Sequence, residues 1–146
     1  MLRTHGVSAL FIVALVSLGL SAHAQTPPAA KPAAVEPASP ENAAAFIGDW
    51  TLTGEGSNGP ANFTLSIKVD AAKKVAAEIT MQQGPQAITE ISRVGTGLVL
   101  RYSFDYQGSD VPVVLTLTPN GDKVTMQMDF ANGAYQINGA ATKKVK

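Results

Sequence analysis

The sequence contains no cysteine, and its only two histidines, His5 and His23, lie near the N-terminus. Without thiols the chain cannot form the disulfide bonds common in exported proteins. From residue 25 onward there is neither imidazole nor thiol, which excludes the usual zinc and copper sites. The same absence excludes Ser-His-Asp and Cys-His catalysis. We therefore predict no metal site, no cofactor and no catalytic residues.

Charge is scarce and balanced. Charged residues make up 15% of the chain, with 11 Lys and Arg against 11 Asp and Glu. Loss of an N-terminal segment that carries Arg3 leaves 10 basic against 11 acidic residues, a net charge of −1. Such a balance provides no electrostatic attraction to nucleic acid or to an anionic membrane. The composition predicts no nucleic-acid partner.

Residues 1–24 have the three parts of a secretory signal peptide. A short polar start with Arg3 precedes an apolar run over residues 7–20, and the small residues Ala22 and Ala24 follow at the positions that a signal peptidase reads. The apolar run is shorter than the roughly 20 residues that cross a membrane. We predict cleavage before Gln25, a mature chain without a transmembrane anchor, and a periplasmic or secreted protein.

The segment after this signal is rich in proline and alanine. Residues 25–39 contain prolines at positions 27, 28, 32 and 37 and almost no large apolar side chain, so a disordered linker is predicted. Ser39-Pro40-Glu41 is typical of a helix start, with Ser39 as N-cap and Pro40 in the first turn. The pattern predicts a short helix over about residues 40–46 at the start of a domain that covers residues 40–146.

Apolar and polar residues then alternate with a period of two almost to the C-terminus. The longest apolar stripe is Leu98, Leu100, Tyr102, Phe104 and Tyr106, and turn sequences such as Asn58-Gly59-Pro60 and Pro119-Asn120-Gly121 separate the stripes. Short turns between sequential strands predict a meander. The fold class is all-β: an eight-stranded antiparallel up-and-down meander barrel, with a two-sheet β-sandwich as the alternative.

One predicted strand, residues 86–94, does not alternate regularly. Ile88 and Ile91 are three positions apart and cannot both face inward on a regular strand. Either a bulge lies near Thr89-Glu90, or Glu90 points inward with Ile88. We favour the bulge, because an unpaired inward carboxylate costs several kcal/mol.

Gly48-Asp49-Trp50, at the start of the first strand after the predicted helix, is similar to the Gly-x-Trp signature of lipocalins and other calycin-like barrels. The domain most resembles the compact lipocalin-like domains of bacterial exported proteins. The resemblance implies that Trp50 closes one end of the barrel and that a late basic residue, here Lys143 or Lys144, packs over its indole ring. Lipocalins are longer and carry a C-terminal helix, for which this chain has no room.

The first functional hypothesis is an exported, non-catalytic protein that binds a small apolar or amphipathic ligand in the barrel. A barrel of eight strands is just wide enough to be filled by its own side chains, so a solid core is the competing interpretation. The predicted ligand-binding residues are the large inward-facing ones: Trp50, Phe63, Leu65, Met81, Tyr102, Phe104, Met126, Met128 and Tyr135.

Two alternatives stay open. The protein is an interaction module that binds another exported protein through its surface, or it is a small-barrel isomerase or cyclase. Acid–base chemistry in the latter would fall to Glu90, Asp105, Arg101, Tyr102 or Tyr106. No spacing brings two carboxylates to one pocket, so we predict that the protein is not an enzyme.

Overall fold

The computed structural model describes residues 33–145. The predicted signal peptide and the predicted linker up to residue 32 lie outside this range. Within it the chain is all-β and antiparallel, as predicted. The strands are β1 (Val35–Pro37), β2 (Gly48–Gly56), β3 (Gly59–Val69), β4 (Val75–Met81), β5 (Gly84–Ala87), β6 (Glu90–Val94), β7 (Gly97–Tyr106), β8 (Ser109–Asn120), β9 (Lys123–Phe130) and β10 (Tyr135–Lys143).

All ten strands belong to one sheet, in the order β1-β6-β7-β8-β9-β10-β2-β3-β4-β5. From β2 to β5 and from β6 to β10, strands that follow each other in sequence pair through tight turns, as a meander requires. In addition, β1 pairs with β6, and β10 pairs with β2 as well as with β9. This pairing joins the last strand to the first long one, from Ile137 beside Gly56 to Lys143 beside Trp50. A single sheet contradicts the two-sheet sandwich alternative.

The inner face of this sheet carries the hydrophobic core. In most of the long strands, buried residues alternate with exposed or half-buried ones, which is the pattern of a sheet with one solvated face. The start of β7 departs from this pattern, because residues 97–100 are all buried. The largest fully buried side chains are Phe46, Leu52, Leu65, Ile67, Ile79, Leu98, Leu100, Leu115, Leu117, Met128 and Val113.

The structure has ten strands where eight were predicted, in part because the segment 86–94 is divided. The ladder breaks at Ile88 and Thr89. The Ile88 N–H donates to the Ala77 carbonyl of β4, whereas the Thr89 N–H donates to the Arg101 carbonyl of β7. Glu90 is exposed, so the alternative of an inward carboxylate is wrong. The favoured bulge is replaced by a break between two strands, β5 and β6.

The other additional strand, β1, falls in the segment predicted to be a disordered linker to residue 39. That prediction is wrong for Val35–Pro37, which pair with Val94, Arg93 and Ser92 of β6. All three β1 residues are exposed. Main-chain hydrogen bonds to the edge of β6 therefore hold this strand, and such bonds need no apolar side chains.

The predicted helix over residues 40–46 is wrong in type and length. A turn at residues 40–43 leads into a single 3-10 turn, Ala44–Phe46. Ser39 still caps the turn as predicted, because its hydroxyl accepts from the Asn42 N–H at 3.2 Å and its own N–H donates to Asn42 Oδ1 at 2.7 Å. After the 3-10 turn the chain enters β2 at Gly48.

The contact between β2 and β10 is unusually close. Gly54 and Gly139 face each other across it. A methyl group on Gly139 would overlap the Thr53 carbonyl oxygen and lie 2.5 Å from the Gly54 Cα. Two residues further along β2, Gly56 has no side chain, and the Tyr135 ring occupies the space where one would lie. We call this pairing the glycine seam.

Candidate ligand-binding cleft

The two ends of the inner face differ. At the Trp50 end, where β2 begins and β10 ends, the 3-10 turn packs on the core through Phe46, which is 1% exposed. The Trp50 Nε1–H donates to the Phe46 carbonyl at 2.8 Å. Lys143 Nζ lies 5.5 Å from the centre of the Trp50 ring, so the expected basic residue over the indole is Lys143.

Arg93 completes this end. Its guanidinium lies 5.3 Å from the centre of the Phe46 ring and donates to the carbonyls of Thr96 and Gly97. Two cations and two aromatic rings therefore cover the core at this end.

The opposite end holds a cavity of about 730 Å³. The turns β2–β3, β4–β5, β7–β8 and β9–β10 surround it, and we call it the cleft. Its apolar lining comes from the last inner-face positions of six strands. These residues are Ala61, Phe63, Met81, Phe104, Tyr106, Val111, Phe130 and Tyr135. The volume lies within the range of small-molecule sites, roughly 300–1,000 Å³.

One wall of the cleft is a row of aromatic rings in contact. The rings of Phe104 and Phe130 meet edge to face at 85°, with centroids 6.3 Å apart. The ring centroids of Phe130 and Tyr135 are 5.5 Å apart, and the planes of these two rings are inclined at 51°. Contacts of this kind hold rings in a fixed orientation. The Tyr135 ring is further fixed over Gly56 in the glycine seam. The wall is therefore formed before any ligand arrives.

Tyr102 lies beneath the cleft. Its hydroxyl is 3.5 Å from the sulfur of Met81, a cleft residue, and 3.9 Å from that of Met128. The side chain is 3% exposed, and sulfur is a weak acceptor. Burial raises the pKa of the Tyr102 hydroxyl well above its ordinary value of 10.0, because the charged phenolate would lose its hydration without gaining a partner.

This burial predicts a specific alkaline destabilisation. Above pH 10 the unfolded chain loses the Tyr102 proton and the folded chain keeps it, so the folded state loses relative stability as pH rises. Compared with Tyr102→Phe, the wild type should lose about 1.4 kcal/mol per pH unit above about pH 10. Urea midpoints of both proteins between about pH 8 and pH 11 measure the difference.

Tyr106→Phe is the control, because it retains Tyr102 and removes the hydroxyl of a ring that is 52% exposed. It should follow the wild-type curve at high pH. Equal slopes for wild type and Tyr102→Phe would contradict the burial of this hydroxyl.

The predicted ligand-binding residues divide into two groups. Phe63, Met81, Phe104 and Tyr135 line the cleft. The others are at most 4% exposed in the core and do not line the cleft: Trp50, Leu65, Tyr102, Met126 and Met128. The cleft residues that the prediction missed include Tyr106, Val111 and Phe130. All three occupy inner-face positions next to a turn, which is the signal that would have identified them.

The residues considered for acid–base chemistry do not meet in one place. Glu90 and Arg101 form an ion pair at 3.3 Å on the outer face, with 59% and 44% of the side chains exposed. Asp105 is exposed and accepts from the Gly108 N–H. Tyr102 is in the core and Tyr106 at the cleft.

Two further properties concern residues 33–145 alone. No three His, Cys, Asp or Glu side chains there are grouped closely enough to hold a metal ion. No helix in that range has the length and apolarity needed to span a membrane.

The chain was compared with known protein families, curated proteins and solved structures, and none of these comparisons gives a match.

Proposed function

We propose that this chain is an exported, non-catalytic binding protein that holds a small apolar or amphipathic molecule in the cleft. The observation that carries the proposal is the cleft itself. It measures about 730 Å³ and has a fixed aromatic wall and a flexible methionine, Met81. Aromatic and methionine side chains suit ligands of irregular apolar shape. Export is inferred from residues 1–24 of the sequence.

We further propose that the sheet closes into a barrel of the lipocalin-like kind. Pairing of β10 with β2 supports closure on one side. On the other side, the N–H groups of the adjacent residues Ile88 and Thr89 donate to carbonyls of β4 and β7, respectively. If β5 and β6 are counted as one bent strand and the short, exposed β1 is left out, eight strands surround the core. Trp50 under Lys143 at one end agrees with the family resemblance.

A variant that fills the cleft tests the binding function. Val111→Trp places an indole among the cleft residues and should remove ligand binding. The matched control is Val114→Trp, which adds the same ring to the outer face of the same strand, opposite Arg101. Native mass spectrometry of protein purified from cells that express the full chain would reveal a carried ligand as extra mass that is lost on denaturation.

The expected result is extra mass on the wild type and on Val114→Trp, and none on Val111→Trp. Wild-type protein that carries no extra mass, even after incubation with an envelope lipid extract, would contradict the binding function. Extra mass retained by Val111→Trp would place the ligand outside the cleft.

A further inference from the structure

Basic residues are unevenly distributed along the strand direction, whereas acidic residues such as Asp49, Asp70 and Asp122 also lie at the Trp50 end. The strands β2, β7 and β9 run toward the cleft, and β3, β8 and β10 run away from it. Each residue of these strands can therefore be assigned a position between the cleft end and the Trp50 end. At the cleft end the charged residues are all acidic: Glu55, Asp105, Asp110 and Asp129. The described basic residues lie at the Trp50 end or, for Arg101, in mid-strand. They are Lys68, Lys73, Lys74, Arg93, Arg101, Lys123, Lys143 and Lys144.

The four carboxylates lie on β2, β7, β8 and β9 near the cleft end of these strands, and none of them lines the cleft. Each occupies an outer-face position beside an inner one, as Asp105 does between Phe104 and Tyr106, and Asp129 beside Phe130. Of the described residues that line the cleft, none is charged. Its polar contributions come from neutral amides, among them Asn58, Gln82 and Gln83 in the turns. We call the four carboxylates the acidic rim.

This arrangement determines which ligands the cleft accepts. An anion would approach through the negative potential of the acidic rim and then lose its hydration among side chains that offer no positive charge. A cation would be attracted by the same carboxylates, but inside the cleft it would find none with which to pair and would lose its hydration without compensation. An uncharged molecule has no charge to desolvate and needs no oppositely charged partner. The turn amides can donate hydrogen bonds to its polar groups and accept hydrogen bonds from them.

We infer that the ligand of this protein is uncharged, with an apolar body of ring-like or irregular shape and a hydrogen-bonding polar end. The inference rests on the proposed function, because it assigns a chemical class to the same cleft. It separates this protein from carriers of fatty acids and other anionic amphiphiles, whose sites need a basic or strongly donating group for the carboxylate.

Two fluorescent dyes that differ by one charged group test the inference. N-phenylnaphthylamine is uncharged, and anilinonaphthalene sulfonate is the same ring system with a sulfonate. We expect the uncharged dye to bind the wild type at least about tenfold more tightly, because the sulfonate has no partner in the cleft. Both dyes are titrated into wild type, Val111→Trp and Val114→Trp.

The outcomes are distinguishable. The inference is supported if the wild type and Val114→Trp bind the uncharged dye about tenfold more tightly than the sulfonated dye, and if Val111→Trp no longer binds the uncharged dye. Equal affinities that both disappear in Val111→Trp overturn the inference and leave the binding function standing. Failure of both dyes to bind, or binding that Val111→Trp does not change, overturns both proposals.

The acidic rim can be tested separately. Asp110→Asn with Asp129→Asn removes two negative charges from the outer face and leaves the cleft lining unchanged. The sulfonated dye should then bind more tightly, by about twofold for each charge removed at low salt. Affinity for the uncharged dye should stay the same. A rise in affinity for both dyes would show that the substitutions alter the cleft and would contradict an electrostatic action of the rim.

Discussion

Gly139→Ala is expected to lower the free energy of unfolding by at least about 3 kcal/mol, the upper part of the range for overpacked sites. The added methyl group would overlap the Thr53 carbonyl oxygen, and the Gly54 Cα stands 2.5 Å away. Both obstacles are backbone, which cannot turn aside as a side chain can. The strands β2 and β10 would have to separate, with loss of ladder hydrogen bonds.

For a domain of this size the expected fall in Tm is about 12 °C or more. Circular dichroism during thermal unfolding measures it, and hydrogen exchange should show faster amide exchange in β2 and β10 than elsewhere. The matched control is Ala140→Thr, which adds similar bulk one residue away on the exposed outer face. It should change stability by no more than about 0.5 kcal/mol. If both variants lose the same stability, the close approach at the glycine seam is contradicted.

Trp50→Ala is expected to cost about 3–5 kcal/mol, the range for removal of a large buried aromatic side chain. Trp50 is 4% exposed and its indole N–H is bonded to the Phe46 carbonyl. Its loss would leave a cavity, an unpaired carbonyl and no support for the 3-10 turn. Urea unfolding followed by far-ultraviolet circular dichroism measures the effect without the fluorescence of the only tryptophan.

Two milder variants separate the contributions at this site. Trp50→Phe keeps a ring and removes the hydrogen bond, which should cost about 1–3 kcal/mol because a buried carbonyl then lacks its donor. Lys143→Met keeps most of the apolar stem and removes the charge above the ring, for a loss of about 0.5–1 kcal/mol. A loss for Lys143→Met as large as that for Trp50→Phe would mean that the cation, and not the hydrogen bond, stabilises the Trp50 end.

Much of the fold follows from periodicity, because a sheet with one buried face must alternate. Tyr102 and Phe104 face inward and Arg101 and Asp105 outward, as the sequence predicts. The pairing of Trp50 with a late lysine came from the resemblance, and Lys143 is the residue that occupies the place. Strand β1 could not be predicted in this way, because its side chains are exposed and its main-chain hydrogen bonds do not depend on a pattern of apolar side chains.

Prediction of the cleft was incomplete for a different reason. A period of two shows which face a residue occupies, but not how far along the strand axis it lies from the open end. Val111 and Val124 therefore look alike in sequence, because each is an apolar residue beside a turn, although only Val111 lines the cleft. The glycine seam was not predictable either, because Gly54 and Gly139 become neighbours only through a pairing between distant strands.

That pairing has a consequence for how the chain acquires its structure. The ladder from Trp50–Lys143 to Gly56–Ile137 joins residues separated by nearly the whole described chain. Ordering so long a loop costs entropy before its contacts form, and proteins dominated by such contacts fold slowly. Strands β2 to β5 and strands β6 to β9 can each assemble hairpin by hairpin, but the edge of β2 that faces β10 stays unpaired until β10 has been synthesised. We therefore expect the pairing of β10 with β2 to be a late step in folding. A chain truncated before β10 would leave the edge of β2 unpaired and prone to aggregation.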